Sequence, residues 1–392
     1  MTDTAYASRV AVMYGAVFLL YGLHAPYLGV FLEARGLTPS EIGVIVAVPL
    51  FIRLIATPLA GHLADRSDNH ARLAVALGAI GACAAAGLLL AEGRIAIGIG
   101  VAVMLASLQT VLPLVDVIAM RGVRRFAMDY GRVRLWGSLT FIVATFAGGA
   151  VIERLGGSAV GTLFFAAALG MTIAALALPQ SSGSGGGGQP SAPSAGQIWA
   201  GARDLMRDRT LVLFLLGASL VQASHAVYYT FSAAHWVRGG LSGDFVSLLW
   251  AIGVVAEIVL FRYSGPVIAR VGAAGLLLLG AAGGVLRWAV TAADPAWGVL
   301  IWVQPLHALT FGATHLAAIH FIAYRVPDAN AGLAQALFAT LSTGVVMGLA
   351  MLAAGQLYDA FAAGAYFAMA MFAAAGGLCG WMARAQARVA RT

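Results

Sequence analysis

Apolar residues run along this 392-residue chain in long unbroken blocks, without the strict alternation that marks a half-buried strand. Set against the polar breaks, the blocks predict spans at 10–32, 41–64, 73–91, 95–120, 134–153 and 158–178, then at 210–236, 245–268, 272–292, 296–323, 331–357 and 361–383. A helix that crosses the hydrocarbon core needs about 20 mostly apolar residues, and each block has about that length. Lipid offers backbone groups no hydrogen-bond partner, so only helices and closed barrels span it. A barrel would alternate apolar and polar positions. The expected fold is an all-α membrane protein of twelve transmembrane helices. The first block, Val10 to Leu32, lacks a cleavage pattern after a short core and reads as a spanning helix, not a signal peptide.

Between the sixth and seventh blocks lies Gln180 to Asp208. It opens with Ser181, Ser182, Gly183, Ser184 and four glycines and includes Pro190 and Pro193, the composition of a flexible linker. Its later part, Ile198 to Arg209, carries Trp199 among charges and predicts a short helix at the membrane surface. The predicted organisation is a six-helix bundle at 1–179, a cytoplasmic linker at 180–208 and a second six-helix bundle at 209–392.

Charge adds orientation. With both termini in the cytoplasm, the inner loops hold Arg66, Arg72, Arg121, Arg124, Arg125, Arg132, Arg203, Arg207, Arg209, Arg270 and Arg325, and the tail holds Arg384, Arg388 and Arg391. The outer loops hold Arg35, Arg94, Arg154 and Arg238. This bias predicts a multi-pass protein of the bacterial inner membrane with cytoplasmic termini. It also accounts for the net charge of +7 without a nucleic-acid partner. Composition agrees: 61% of residues are hydrophobic and 10% charged, against roughly 25% charged in soluble domains. Cys83 and Cys379 fall in apolar blocks and read as small packing residues, not a disulfide framework.

The chain also repeats itself. His24-Ala25-Pro26-Tyr27 in the first span answers His225-Ala226-Val227-Tyr228 in the seventh, and Arg35-Gly36 answers Arg238-Gly239. Gly61 to Arg66 answers Gly265 to Arg270. Two duplicated halves are therefore expected. Gly61-His62-Leu63-Ala64-Asp65-Arg66, with Arg72 six residues on, resembles the signature loop of the major facilitator superfamily. That resemblance implies two pseudo-symmetric six-helix bundles. Its physical role is a latch: Asp65 accepts from neighbouring Arg side chains or helix-end amides, so Asp65, Arg66 and Arg72 are the gating candidates.

Five ionisable residues interrupt apolar spans: Arg53, Asp116, Arg134, Glu257 and Arg287. An isolated charge at mid-bilayer costs at least ~2.5–3.5 kcal/mol, so such groups line a cavity, pair or move protons. Arg53 and Glu257 occupy equivalent places in the second span of each half and are a candidate charge pair. Pro113 and Asp116, followed by Tyr130-Gly131-Arg132-Val133-Arg134 and Gly137, resemble the lactose permease family. There the acid and the second arginine hold the sugar, which implies that role for Asp116 and Arg134. Glu257, Arg287 and His307 fall where that family carries its acid, arginine and histidine, although Thr310 stands in place of the acid one turn after the histidine. The lactose permease proton carrier is therefore replaced, and Glu257, Asp116 and His307 are the proton-coupling candidates.

Gly36-Leu37-Thr38-Pro39, Arg134-Leu135-Trp136-Gly137-Ser138, Ala256-Glu257-Ile258, Arg287-Trp288 and Leu306-His307-Ala308-Leu309-Thr310-Phe311-Gly312 resemble the phenylpropionate permease branch over nearly the whole chain outside the linker. This resemblance implies proton-coupled uptake of a small organic molecule, an aromatic or other organic acid foremost. The residues agree in kind, since arginine pairs bidentately with carboxylates and suits Arg134 or Arg287 to an organic acid. Gln304, His307 and Phe311 share a helical face, and Tyr21 lies on an aromatic stripe with Tyr14 and Phe18. These complete the substrate-binding set of Asp116, Arg134, Arg287, His307, Gln304 and Tyr21. A proton-coupled sugar or nucleoside carrier, an exporter on the same scaffold and a membrane sensor without transport are the alternatives. No catalytic, phosphate-binding or metal-ligating pattern is present, so the expectation is a monomeric transporter, not an enzyme. It would use the proton gradient in place of a cofactor, with protons, membrane lipid and a small-molecule substrate as partners.

Overall fold

The computed structural model describes residues 3–67, 69–179 and 195–389. Residues 180–194 of the predicted linker, and Arg391 of the tail, lie outside the described residues. Sixteen α-helices make up the architecture: α1 Asp3–Ala34, α2 Pro39–Ser67, α3 His70–Leu90, α4 Arg94–Phe126, α5 Tyr130–Leu155, α6 Val160–Leu176, α7 Ala195–Arg207, α8 Arg209–Ala223, α9 Ala226–Arg238, α10 Gly243–Arg262, α11 Ser264–Ala292, α12 Trp297–Val303, α13 Thr314–Arg325, α14 Asp328–Ala339, α15 Met347–Phe361 and α16 Ala365–Val389. Among the described residues there are no strands. Eleven helical stretches are long and apolar enough to cross a membrane, and the last covers 59 residues. That last stretch turns at Ala362, whose φ is +46°, so α14–α15 and α16 are two crossings and the total is twelve.

Three spans are assembled from broken helices. The seventh joins α8 to α9 across Ser224 and His225. The tenth joins α12 to α13 through a 3₁₀ turn at Gln304–Leu306 and a π-helical turn at Ala308–Ala313, and the eleventh contains a π segment at Thr340–Val346. Such widened turns concentrate at functional sites. The predicted boundary between the eighth and ninth spans, at 268–272, needs correction. α10 ends at Arg262, and α11 begins at Ser264 and kinks at Gly272 (φ +68°), a backbone conformation open to glycine.

The chain divides into two compact units. One comprises Met1–Gly185 with Thr230–Leu248; the other comprises Gly186–Tyr229 with Leu249–Thr392. In the first, α1 lies along α5 at backbone distance. A Cβ on Gly22 would stand 2.3 Å from the Phe141 carbonyl oxygen, and Thr145 and Thr140 donate to the carbonyls of Gly22 and Gly15 at 3.0 and 2.8 Å. Small residues with threonine hydrogen bonds are the expected adhesive where no hydrophobic effect separates helix from lipid. Segment 230–248 docks on the same pair of helices. A Cβ on Gly149 would fall 2.1 Å from Ser247 Oγ, and one on Gly29 would fall 1.9 Å from the Thr230 carbonyl oxygen. Tyr27 and Ser247 both donate to the Thr145 carbonyl, at 2.9 and 3.0 Å, Arg238 pairs with Glu33, and Glu153 accepts the Gly243 amide at 2.7 Å.

In the second unit, α8 meets α16 closely through Gly217 and Gly376: a Cβ on Gly376 would lie 2.6 Å from the Gly217 carbonyl oxygen. Both cysteines are free. Cys83 sits on the exposed face of α3, which corrects its reading as a packing residue.

Candidate functional site

Each unit gathers its own cluster of ionisable and aromatic side chains. In the first, Asp116 on α4 accepts from Tyr14 of α1 at 2.5 Å and from Tyr130 of α5 at 3.4 Å. The Arg134 guanidinium lies 3.9 Å from the centre of the Phe18 ring and 5.3 Å from that of Tyr14, a cation–π contact of about 0.5–2 kcal/mol. Among the described residues no ion pair joins Asp116 to Arg134, so the two charges are connected through the Tyr14 ring. Gly137 makes room for this stack, since a Cβ there would stand 2.8 Å from Phe18 and 3.0 Å from Arg134 Nη1. Tyr21 continues it, 5.4 Å from Phe18 and 5.0 Å from the His24 ring, within the electrostatic reach of Arg53, Arg134 and Asp116. Arg53 donates to Gln109 at 3.4 Å, and His24 Nε2 is buried without a protein hydrogen-bond partner. A wide apolar groove of about 800 Å³, between α1, α5 and α6, contains none of these charges.

The second cluster is tighter. Arg287 of α11 is fully buried. It donates through Nη1 to His307 Nδ1 at 3.0 Å and Thr310 Oγ1 at 3.1 Å, and through Nη2 to Gln304 Oε1 at 3.0 Å. Its Cζ lies 4.5 Å from the ring centres of both Tyr228 and Trp288, whose rings are tilted 43° to each other on adjoining sides of it. All three acceptors are neutral, no carboxylate among the described residues pairs with Arg287, and its Nε has no protein partner. Taking a lone charge out of water costs several kcal/mol unless paired, a cost that an anion beside this guanidinium would offset.

Donor and acceptor rules fix the protons. Arginine stays protonated, so His307 Nδ1 accepts and its proton sits on Nε2, which points 3.6 Å to Glu257 Oε2. His225 Nδ1 donates to the Gln222 carbonyl at 2.9 Å, leaving Nε2 to accept from Thr310 at 2.9 Å. Thr310 therefore relays Arg287 to His225 where the lactose permease pattern has an acid. Tyr228 donates to Gln304 at 3.1 Å and stacks on Trp250 at 4.7 Å. His307, Phe311 and His315 form a stacked ladder along the tenth span.

Of the predicted substrate residues, the structure thus brings Arg287, His307 and Gln304 together in one unit, and Asp116, Arg134 and Tyr21 in the other. Of the candidate charge pair, Arg53 meets Gln109 in the first unit and Glu257 meets His307 in the second. The signature loop is corrected in its partner. Asp65 meets His70 Nε2 at 3.1 Å, while Arg121 approaches His70 Nδ1 at 3.4 Å. Arg66 and Arg72 are exposed, and among the described residues neither holds Asp65. The sequence reading missed His70, Tyr130, Trp250 and the role of His225, although the repeated His-Ala-x-Tyr element was a signal for the last.

Known proteins bear on this arrangement. The MFS_1 like family matches residues 8–369. A protein of Escherichia coli (strain K12) described as a probable 3-phenylpropionic acid transporter is 32% identical over 93% of this chain and 94% of its own length, in keeping with the resemblance read from the motifs. The maltose permease of Geobacillus stearothermophilus is 28% identical over 91% of this chain and 89% of its own. Among solved structures, the nucleoside transporter NupG has a TM-score of 0.83 at 16% identity, covering 97% of this chain and 99% of its own. A bacterial homologue of the lysosomal transporter Spinster has a TM-score of 0.74 at 14% identity, covering 97% and 96%. At those identities the likeness speaks to the fold alone.

Proposed function

The chain belongs to the MFS_1 like family and is a multi-pass membrane transporter, not an enzyme, and from that premise we propose that it takes up small organic acids, aromatic carboxylates foremost, together with protons by alternating access. The observation that carries the substrate class is Arg287, a buried cation whose donors face only neutral acceptors. A carboxylate supplies what those acceptors lack, a full charge in the bidentate geometry that a guanidinium fits. The Tyr228–Trp250 stack and Trp288 around it suit a ring attached to that carboxylate. The relative described as a probable 3-phenylpropionic acid transporter supports the same choice.

Proton coupling follows from the same contacts. While Arg287 donates to His307 Nδ1, the imidazole carries one proton, on Nε2. A carboxylate that engages Arg287 releases Nδ1, which is then free to take a second proton, and Glu257 stands 3.6 Å from Nε2 to pair with the imidazolium. One anion thus admits one proton. Asp116 remains a second proton and substrate candidate in the first unit.

The proposal keeps the frame read from the sequence, with halves at 1–179 and 209–392 joined by 180–208, both termini cytoplasmic, and a monomer in a bacterial inner membrane driven by the proton gradient. A sugar or nucleoside substrate is the second reading, favoured by Asp116, whose tyrosine hydroxyl partners could be exchanged for those of a polyol. The deciding experiment is equilibrium binding to purified protein of 3-phenylpropionate, its primary amide, maltose and a nucleoside. The proposal expects the acid to bind at least tenfold tighter than its amide. Tighter binding of the sugar or the nucleoside would overturn it.

A further inference from the structure

α7 is a 13-residue helix fixed at one end to the threshold of a membrane span. Asp208, the next residue, caps α8 by accepting from the amides of Thr210 and Leu211 at 3.0 and 3.2 Å. It also accepts from Arg325 Nε and Nη2 at 2.8 and 3.0 Å. Burial pushes its carboxyl up, but the Arg325 fork and the two amides outweigh that and hold it below the usual aspartate value. The joint is therefore ionised and rigid. Along α7, Leu205 is buried and Gly201 faces Leu333 of α14, whose Cδ2 would lie 3.0 Å from an added Cβ.

The rest of the helix surface is built differently. At 3.6 residues per turn, Trp199, Ala202 and Met206 form one strip centred about 90° around from Leu205, with Trp199 farthest at about 120°. Trp199 is 76% exposed and Met206 58% exposed. Arg203 and Arg207 flank this strip on one side, and Arg209 stands just beyond; all three are exposed. Asp204 shares Arg207 at 3.2 Å, and Asp208 is taken by Arg325. The surface is cationic beside an apolar edge. An exposed indole in that setting fits the membrane–water interface, where tryptophan concentrates, and arginines beside it fit acidic headgroups.

We propose that α7 binds anionic phospholipid, with Trp199 and Met206 at the acyl boundary and Arg203, Arg207 and Arg209 on the headgroup phosphate. This surface is separate from the carboxylate site and independent of what the protein carries. Attraction of this type amounts to roughly fivefold in relative lipid affinity per arginine.

The test is fluorescence quenching of full-length protein in bilayers of phosphatidylcholine and phosphatidylglycerol in which one lipid or the other carries brominated acyl chains. The Trp199 signal is isolated as the difference between wild type and Trp199→Phe. Quenching should be stronger when phosphatidylglycerol is the brominated lipid. The preference should vanish in Arg203→Gln/Arg207→Gln and return in Arg203→Lys/Arg207→Lys, with thermal midpoints unchanged. Equal quenching by both lipids in wild type would overturn the proposal, as would quenching by aqueous iodide with neither lipid effective.

Discussion

Replacing Arg287 with methionine separates binding from stability in a way the geometry makes quantitative. The guanidinium makes three hydrogen bonds to neutral acceptors at 3.0–3.1 Å. Bonds to a charged group are each worth about 1.5–3 kcal/mol, set against several kcal/mol for burying a charge with no counter-ion. The two nearly cancel. In Arg287→Met the charge is gone, Gln304 keeps Tyr228 as a donor and Thr310 keeps His225 as its acceptor. Only His307 Nδ1 loses its partner, so stability should change by no more than about 2 kcal/mol. Binding of an organic acid should lose about 2–5 kcal/mol, the usual cost of removing one side of a desolvated charge pair. That corresponds to about 30-fold to several thousand-fold in affinity. Calorimetric titration with 3-phenylpropionate and with its primary amide, beside a thermal melt, measures all three quantities. The amide should bind the variant and wild type alike. If the acid binds the variant within threefold of wild type, or if acid and amide lose equally, Arg287 does not select the carboxylate.

Other perturbations follow from the same contacts. Asp116→Asn and Arg134→Ala should each weaken substrate binding at least tenfold with thermal midpoints preserved; normal affinity in both removes the Tyr14-bridged pair from the site. Asp65→Asn, which weakens the His70 contact, should slow net transport while equilibrium affinity stays within a few-fold; collapse of affinity with unchanged exchange per bound substrate contradicts a latch. Gly149→Val drives side-chain atoms into Ser247 and the Gly243 carbonyl, an overpacking of about 1–3 kcal/mol. Amide exchange over residues 230–248 should accelerate roughly five- to 150-fold; unchanged protection would mean the segment is not held by that approach.

The membrane spans were readable because lipid enforces a simple rule, long apolar helices, and the rule leaves its mark on composition. Where helices bend is set by finer contacts. The break at Ser224 and His225 exists so that Ser224 can accept from Trp288 at 2.8 Å and His225 can reach Thr310, partners 64 and 85 residues away. No local pattern announces it. The residue types of the site were legible too, because a charge in an apolar span is conspicuous: Arg287, Glu257, Asp116 and Arg134 stood out. Their neutral partners were less so: Thr310 stood out only as the residue in place of an acid and Tyr14 only as part of an aromatic stripe, until the fold brought them to Arg287 and Asp116. The repeated histidines make the same point. His24 and His225 share a motif, yet His225 is fully hydrogen-bonded while His24 Nε2 has no protein partner. In the signature loop, Asp65 has arginines close in sequence, but His70 sits within reach because α3 begins there.

Proton-driven uptake through Arg287, His307 and Glu257 is the central claim, and Glu257→Gln in proteoliposomes tests it most directly. The variant keeps a hydrogen-bonding group near His307 Nε2 but cannot carry the charge that steadies an imidazolium. Radiolabelled 3-phenylpropionate would be followed in two modes, exchange at equal pH and accumulation under an imposed inward proton gradient. Exchange needs no net proton cycle and should persist within a few-fold of wild type. Accumulation should fall to the equilibrium level, with wild type concentrating the acid severalfold. If Glu257→Gln still concentrates substrate under the gradient, Glu257 is structural and the coupling runs elsewhere.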